Sequence, residues 1–201
     1  DLVYQSCDTR YRLPRSEDEL QKIHAEYDLP PRYILNVGTV EERKNVLLAV
    51  KALEKLPGDL SLIIVGRQTK YAEKVRRYIR RHQLEPRVRF LQGVPNAALP
   101  AIYQLAEAFV YPSRYEGFGI PVIEAIQSGL PVVAATGSCL EEAGGPDCLY
   151  VNPDDVEATC EAILKAIALR DRIVPKAQEY IRRFENGDVA RQVLQCYQRV
   201  V

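Results

Sequence analysis

Residues 108–134 read AFVYPSRYEGFGIPVIEAIQSGLPVVA. The stretch begins with an apolar run, continues through a turn that holds two glycines, and ends in a second apolar run after Gly129. Proline is favoured in the first turn of a helix, where Pro121 stands, and glycine is favoured just past a helix end. The stretch therefore predicts a strand, a helix over 120–128 and a second strand, which together form one βαβ unit.

The same alternation runs through most of the chain. Apolar runs of strand length predict six strands, at 33–37, 60–65, 88–91, 108–111, 131–135 and 148–151. Helical patterns lie between them, at 45–56, 70–83, 97–106, 120–128 and 155–169. Several of the strands are solid runs of Val, Ile, Leu and Tyr, as expected of strands that are covered on both faces. The predicted fold class is α/β, a Rossmann-like doubly wound parallel sheet with helices on both faces.

Helix starts are marked at two places, and the end of the chain has a different pattern. Ser16 followed by Glu19 predicts a capping box. Residues 152–155, Asn-Pro-Asp-Asp, place a proline and two acids where the next helix begins. From about 170 to 201 the chain is charged, helical in pattern and without a strand, so we expect it to pack outside the sheet.

The composition excludes several classes of protein. The 201 residues balance 27 Lys and Arg against 27 Asp and Glu, so any charged ligand must be held by local groups and nucleic acid is not an expected partner. Five scattered cysteines, none in C-x-x-C spacing, argue for a reducing compartment. No apolar run reaches the roughly 18–20 residues of a membrane span, and the first residues lack signal-peptide order. We expect a cytoplasmic protein.

The turn inside the opening stretch has the residues of an anion site. Ligands of open α/β sheets bind beyond the carboxyl ends of the strands. Gly117 and Gly119 allow the backbone to approach a ligand, and the N–H groups around Gly119 and Ile120 suit an anion. Glu116 and Glu124 place a carboxylate on either side, which fits a phosphate flanked by two polyols, as in a nucleotide sugar. The open alternative is that these acids stand near a helix start only because the helix dipole favours negative charge there.

A second pattern of this kind follows the first predicted strand, in NVGTVEERKNVLLAVKAL (36–53). Gly38 ends the strand, and Arg43 and Lys44 stand where a helix begins. The helix dipole disfavours cations at that end, so an incoming anion would account for them. Cations that simply extend into water are the open alternative.

Five segments together resemble a known family: VGTVEERKN, IIVGR, VRFLQGV, the opening stretch and EEAGGPDCLYVNPDD. Their order and approximate spacing resemble the carboxy-terminal domain of the retaining glycosyltransferases of group 1, or family 4, which have the GT-B fold. The resemblance covers residues 2 to about 170. It implies a Rossmann-like domain over 13–186 that binds a nucleotide-sugar donor, while a separate amino-terminal domain holds a sugar or lipid-linked acceptor. Residues 1–12 would be a linker and strand remnant, and 187–201 a terminal helix.

The resemblance implies roles for the charged residues. Lys44 would neutralise the donor diphosphate with help from Arg43, and Glu116 would meet hydroxyls of the transferred sugar. Glu124 would meet the ribose. Because free nucleoside diphosphate lacks the transferred sugar, replacing Glu116 with Gln is expected to leave its affinity nearly unchanged.

Backbone positions complete the implied site. Gly117, Phe118, Gly119 and Ile120 would cradle sugar and phosphate, and Gly66 with Gln92, Gly93 and Val94 would lodge base and ribose. Gly38 and Thr39 form the first loop, where many family members have an arginine in place of Thr39, so one phosphate contact is absent or comes from Arg43. Glu142 matches a recurring glutamate, although a capping role for it explains the match equally well.

The implied chemistry is transfer of a sugar with loss of the nucleoside diphosphate. It needs positive charge on the leaving phosphate and fixed hydroxyl contacts. No metal or other cofactor is expected, since His24 and His82 are isolated and no carboxylate pair has metal spacing. A nucleotide-sugar epimerase or hydrolase of similar fold and a non-catalytic nucleotide-binding module are the alternatives. A dinucleotide binder would need a G-x-G-x-x-G that is absent after the first strand.

A basic segment stands apart from these motifs. Residues 74–89, KVRRYIRRHQLEPRVR, hold seven Lys and Arg residues. The apolar spacing of Tyr71, Val75, Tyr78 and Ile79 predicts an amphipathic helix with a solvated basic face. Weak peripheral contact with the inner face of an anionic membrane is the alternative use of this face.

Overall fold

The computed structural model describes residues 7–184, 191 and 194–198. Its centre is a six-stranded parallel sheet of order β3-β2-β1-β4-β5-β6. The strands are β1 Tyr33–Val37, β2 Ser61–Val65, β3 Val88–Leu91, β4 Ala108–Tyr111, β5 Val132–Ala135 and β6 Leu149–Val151. The predicted doubly wound sheet is confirmed, and every predicted strand lies within one residue of its observed bounds.

The α-helices between residues 17 and 181 flank this sheet. They are α1 Glu17–Glu26, α2 Val46–Leu53, α3 Tyr71–Arg81, α4 Leu99–Gln104, α5 Ile120–Gln127, α6 Leu140–Gly144, α7 Val156–Ala168 and α8 Arg170–Ile181. The predicted helices are present but shorter. The helix predicted over 45–56, for example, ends at Leu53, and its last residues form separate hydrogen-bonded turns up to Leu56.

One layer of helices covers each face of the sheet. Helices α1, α4, α5, α6 and α8 share one core, and α2, α3 and α7 share the other. Neighbouring residues of β1 go to opposite cores, since Leu35 lies in the first and Ile34 in the second. Helix α8 packs on α5 and α6, so residues 170–181 lie outside the sheet as predicted.

The ends of the chain fall partly outside the described residues. Of the terminal helix predicted over 187–201, only 191 and 194–198 are described, and these are helical. The domain boundaries at 13 and 186, and the linker assigned to 1–12, stay predictions.

The predicted helix caps form with one correction. The Ser16 side chain accepts a hydrogen bond from the Glu19 N–H at 3.3 Å, and the Asp155 side chain accepts one from the Ala158 N–H at 2.8 Å. The prediction of a full capping box is wrong in its second hydrogen bond, from the Ser16 N–H to the Glu19 carboxylate. That carboxylate accepts instead from the Arg15 guanidinium at 3.0 Å. A charged donor competes successfully with a backbone amide for this exposed carboxylate.

The order of the sheet reverses between β1 and β4. These two strands pair only at Ile34 with Ala108 and Leu35 with Phe109. The connections after them leave toward opposite sides of the sheet, which opens a crevice at the carboxyl ends of the two strands. The two predicted anion-binding loops lie on either side of this crevice.

Candidate functional site

The two loops meet through Lys44 and Glu116. Lys44 Nζ lies 2.8 Å from Glu116 Oε1 and donates a hydrogen bond to Tyr111 Oη at 2.5 Å. The ammonium also lies 5.1 Å from the centre of the Tyr111 ring. The side chains of Lys44 and Glu116 are only 13% and 9% exposed. The crevice therefore holds an ion pair that is largely shielded from water.

The Glu116 carboxylate binds groups from both loops. Ser113 Oγ donates to Oε1 at 2.7 Å, and Arg43 Nη1 donates to Oε2 at 3.2 Å. Burial opposes ionisation of Glu116, but the hydrogen bonds from Lys44 and Ser113 outweigh it, so the pKa of Glu116 is lowered. The carboxylate is thus charged at neutral pH, and it holds both cations of the first loop.

Arg43 fastens the first loop to the second. Its Nη1 also donates to the Tyr115 carbonyl at 2.8 Å, and its own carbonyl accepts from the Arg114 N–H at 2.8 Å. Its Nη2 pairs with Glu41 Oε1 at 2.8 Å. The expectation that an external anion is needed to offset the cations here requires correction, because Glu41 and Glu116 already do so.

Asn45 closes the first loop in a way that the sequence analysis missed. It has left-handed backbone with φ of 54° and directly precedes α2. Its Nδ2 donates to the carbonyls of Pro112 at 3.2 Å and Pro153 at 2.8 Å. Asparagine tolerates this conformation better than most residues. An asparagine between a cationic turn and a helix was therefore the sequence signal that could have indicated this role of Asn45. The side chain ties three loops together at the edge of the crevice.

A cavity of about 390 Å³ lies beyond the carboxyl ends of β1, β2 and β3. The structure brings together in its lining six residues assigned from the sequence: Gly38, Thr39, Gly66, Gln92, Gly93 and Val94. Val37, Val65, Arg67 and Leu99 complete the lining. The volume falls within the roughly 300–1,000 Å³ of small-molecule pockets. The exposed Arg67, which the sequence analysis left unassigned, gives this cavity a cation.

The floor of the cavity is made of touching backbones. Gly66 has φ of 151°, and a Cβ there would lie 2.0 Å from the Gly38 carbonyl oxygen. The Gly38 N–H donates to the Val65 carbonyl at 2.8 Å, and the Gly66 N–H donates to the Leu91 carbonyl at 2.9 Å. Glycine is required at Gly66 for both its backbone angle and the space.

The glycine-rich turn before α5 is anchored on one side and open on the other. A Cβ on Gly119, where φ is 115°, would lie 2.8 Å from a leucine methyl carbon of α6, whereas one on Gly117 would meet nothing within 4 Å. The Phe118 ring packs edge-on against Phe184 at 5.2 Å. Helix α5 begins at Ile120 without a side-chain cap. The sequence assigned no role to Phe184, which helps to fix the turn.

Glu124 has different surroundings. The Tyr103 hydroxyl donates to its Oε2 at 3.0 Å, and the Tyr11 hydroxyl also hydrogen-bonds to it. Burial raises the pKa of Glu124 although both tyrosines oppose the shift. Glu124 does not line the 390 Å³ cavity. Neither Glu116 nor Glu124 caps α5, so any effect of the helix dipole on these carboxylates acts without a capping hydrogen bond.

The loop before α6 is held by Glu141. Its carboxylate accepts from the Gly137 N–H at 2.9 Å and from the Thr136 hydroxyl. Glu141 thus ties the loop at 136–137 to the first turn of α6, and the role of Glu142 stays a prediction. The Tyr180 hydroxyl donates to the Glu142 carbonyl at 2.9 Å, which links this loop to α8.

The basic segment forms an amphipathic helix, as predicted. On α3, Val75 and Ile79 are buried, whereas Arg77, Arg80 and Arg81 are exposed. Membrane contact through this face stays a prediction. Within the part of the chain that the structure describes, no helix has the length and apolar character to cross a membrane. Over the same residues, no three His, Cys, Asp or Glu side chains come together as metal ligands.

The crevice lies at the switch point, where the sheet order reverses between β1 and β4, and it has cations beside glycine-rich loops. In a Rossmann-like domain, this is the place where an anionic cofactor or substrate binds. Residues 17–185 match the family described as Glycosyl transferases group 1. The chain belongs to this family.

Two curated relatives are O-antigen mannosyltransferases. The chain is 35% identical over 167 residues to O-antigen chain mannosyltransferase B of Escherichia coli, covering 81% of this chain and 44% of the relative. It is 32% identical over 183 residues to O-antigen chain mannosyltransferase RfbU of Salmonella typhimurium, covering 91% of this chain and 50% of the relative. The chain thus spans about half the length of these curated relatives.

A solved structure matches the fold. The C-terminal domain of a glycosyl transferase group 1 family protein, LpcC from Francisella tularensis, gives a TM-score of 0.77 at 19% identity. The match covers 90% of this chain and 100% of that chain. The predicted fold, that of the carboxy-terminal domain of a GT-B glycosyltransferase, is confirmed.

Proposed function

We propose that this chain is the donor-binding domain of a retaining glycosyltransferase, which transfers a hexose from a nucleoside-diphosphate sugar to an acceptor held by a separate amino-terminal domain. The observation that carries the proposal is the shielded Lys44–Glu116 pair at the switch point, beside a glycine-lined cavity. Mannose is the proposed hexose and polysaccharide biosynthesis the proposed pathway, because both relatives are named O-antigen mannosyltransferases.

The diphosphate lies against the first loop and the start of α5. Lys44 and Arg43 supply positive charge, and the backbone N–H groups at Gly119 and Ile120 supply donors at a helix amino-terminus. As the bond to the sugar breaks, negative charge grows on the leaving phosphate. Fixed cations in a site of low water exposure stabilise that charge more than water does.

The sugar lies against Glu116. A carboxylate accepts hydrogen bonds from hydroxyl groups, and a charged acceptor makes such bonds stronger than a neutral one. Ser113 and the two cations fix its position, so a sugar bound to it is oriented relative to the diphosphate. Orientation of this kind is what transfer through an oxocarbenium-like state requires.

The base and ribose occupy the cavity at the ends of β1, β2 and β3. Its mixed lining offers apolar contact from Val37, Val94 and Leu99 and polar groups from Thr39 and Gln92. Glu124 lies outside the lining of this cavity, on α5, and its proposed contact is with ribose hydroxyls at the edge of the cavity. Tyr103 holds this carboxylate in place, since its hydroxyl donates to Oε2.

Calorimetric titration of the chain with UDP, GDP, ADP and their mannose conjugates tests the proposal. We expect one base to be preferred and its conjugate to bind at micromolar to millimolar concentration. We also expect phosphorus NMR to show little consumption of the conjugate, because the acceptor side of the cleft belongs to another domain. Rapid hydrolysis or epimerisation by the chain alone would favour the alternative enzymes, and failure of every nucleotide to bind would refute the proposal.

A further inference from the structure

Glu116 contacts both cations that are assigned to the diphosphate. Its Oε1 lies 2.8 Å from Lys44 Nζ, and its Oε2 lies 3.2 Å from Arg43 Nη1. Resting on the function proposed above, we propose that Glu116 opposes the binding of free nucleoside diphosphate, so that the site favours the sugar conjugate over the diphosphate product. Glu116 would thus set specificity for donor over product, in addition to contacting the sugar.

The hydrogen bonds of Lys44 force the carboxylate and the phosphate close together. An ammonium has three N–H donors, and Lys44 directs one to Tyr111 Oη and one to Glu116 Oε1. A phosphate oxygen on the third donor would lie roughly 4–5 Å from the carboxylate oxygen on the same nitrogen. Two negative groups at that distance repel each other strongly where water is largely excluded.

The carboxylate is held too firmly to turn away. Ser113, which donates to Oε1 at 2.7 Å, is fully buried, so its hydroxyl has a fixed position. The backbone of Glu116 is held as well, because its carbonyl accepts from Cys139 Sγ at 3.2 Å. Moving the Glu116 side chain away would leave the buried Ser113 hydroxyl with weaker acceptors and Lys44 without its counter-ion.

A sugar conjugate avoids part of this repulsion. Its sugar hydroxyl donates to Glu116 and so offsets part of the negative charge that the phosphate faces. Free diphosphate makes no such bond, and its terminal phosphate carries an additional ionisable oxygen. Once the sugar has been transferred, Glu116 therefore favours release of the product. This changes the expectation from the sequence that Glu116→Gln leaves affinity for free diphosphate unchanged.

Calorimetry on the folded chain tests the inference, using the diphosphate that the wild-type chain prefers and its mannose conjugate. We expect Glu116→Gln to bind the free diphosphate about three- to tenfold more tightly than wild type. The conjugate should bind no more tightly, because the gain is offset by a weaker bond to the sugar. The matched control is Glu42→Gln, which removes one negative charge from the turn that holds Arg43 and Lys44, but from an exposed carboxylate paired with Lys74 at 3.3 Å.

Two further variants show whether Lys44 mediates the effect. Glu116→Ala should also tighten diphosphate binding. Because alanine cannot form new hydrogen bonds to the ligand, this variant separates the loss of charge from any new bond made by the glutamine. In a Lys44→Ala background, adding Glu116→Gln should give a smaller gain than in wild type. If wild type binds the ligands but neither Glu116 variant gains affinity beyond that of Glu42→Gln, the inference is wrong and the proposed function stands. If neither the wild-type chain nor any variant binds a nucleotide, the inference and the proposed function are both wrong.

Discussion

Asn36 Nδ2 donates a hydrogen bond to the Val110 carbonyl at 2.7 Å, across the gap between β1 and β4. The two strands stop pairing one residue earlier, at Leu35 and Phe109. A buried carbonyl that loses its strand partner needs another donor, and the Asn36 amide supplies it. The side chain therefore allows the strands to separate where the crevice begins.

Removing that donor should destabilise the fold. Asn36→Leu leaves the Val110 carbonyl unsatisfied in a buried place, and we expect a loss of about 1–3 kcal/mol in the free energy of unfolding. Urea unfolding followed by circular dichroism measures it. Asn96→Leu, at an exposed position, is the matched control and should change stability by less than about 0.5 kcal/mol. Equal effects of the two substitutions would contradict this role of Asn36.

A methyl group at Gly66 should not fit. Because a Cβ there would lie 2.0 Å from the Gly38 carbonyl oxygen, Gly66→Ala must move one of the two loops. We expect a loss of about 2 kcal/mol or more and weaker nucleotide binding, since these loops form the cavity floor. Gly58→Ala is the control, because a Cβ at that exposed position would meet nothing within 4 Å. An unaffected melting temperature for Gly66→Ala would mean that the loops do not touch as described.

Glu124→Gln should raise stability at neutral pH while it weakens binding. Burial raises the pKa of Glu124, so the folded state disfavours its charged form. The resulting cost is fully present above the raised pKa and disappears as the pH falls below the usual glutamate value of about 4.3. We expect a higher melting temperature for Glu124→Gln at pH 7 to 8, on the order of 2 °C, and no difference near pH 4.

If Glu124 contacts the ribose, the same variant should bind free diphosphate and sugar conjugate more weakly by similar factors. A stabilised variant with full affinity would show that Glu124 is a structural residue, paired with Tyr103 and Tyr11 and without a role in binding.

Lys44→Ala should weaken nucleotide binding in a salt-dependent way. Loss of a hydrogen bond between charged groups is worth about 1.5–3 kcal/mol, which is roughly ten- to a hundredfold in affinity. Because this contact joins opposite charges, the defect should shrink as salt is added, whereas the defect of Glu124→Gln should not. The control is Lys70→Ala, which removes the same type of side chain from an exposed position. A defect of Lys44→Ala that is independent of salt would assign Lys44 to packing on Tyr111.

The elements of the fold could be predicted from the sequence because each is encoded locally. β1, β3 and β4 follow apolar runs, and their order with the intervening helices restricts the topology to a doubly wound sheet. The loops that flank the crevice could be predicted for the same reason, since the carboxyl ends of parallel strands lie at one edge.

The contacts inside the site could not be predicted in this way. Lys44 and Glu116 are 72 positions apart, and no local pattern indicates that they pair with each other rather than with a ligand. Glu124 likewise bonds to Tyr103 on α4, a partner 21 positions away that its place in α5 does not indicate. A sequence pattern indicates which edge of the sheet a side chain occupies, but the partner that it reaches depends on the packing of distant elements.

Binding of a nucleoside-diphosphate sugar at the carboxyl ends of β1 and β4, where the sheet order reverses, can be tested by amide chemical-shift mapping. The isotope-labelled chain is titrated with the preferred conjugate identified by calorimetry. We expect shifts to concentrate at 38–45, 66–67, 92–94 and 116–120, and Lys44→Ala to reduce them all at a given ligand concentration. Shifts confined to other surfaces, such as the basic face of α3, or an unchanged spectrum with every conjugate at millimolar concentration, would contradict it.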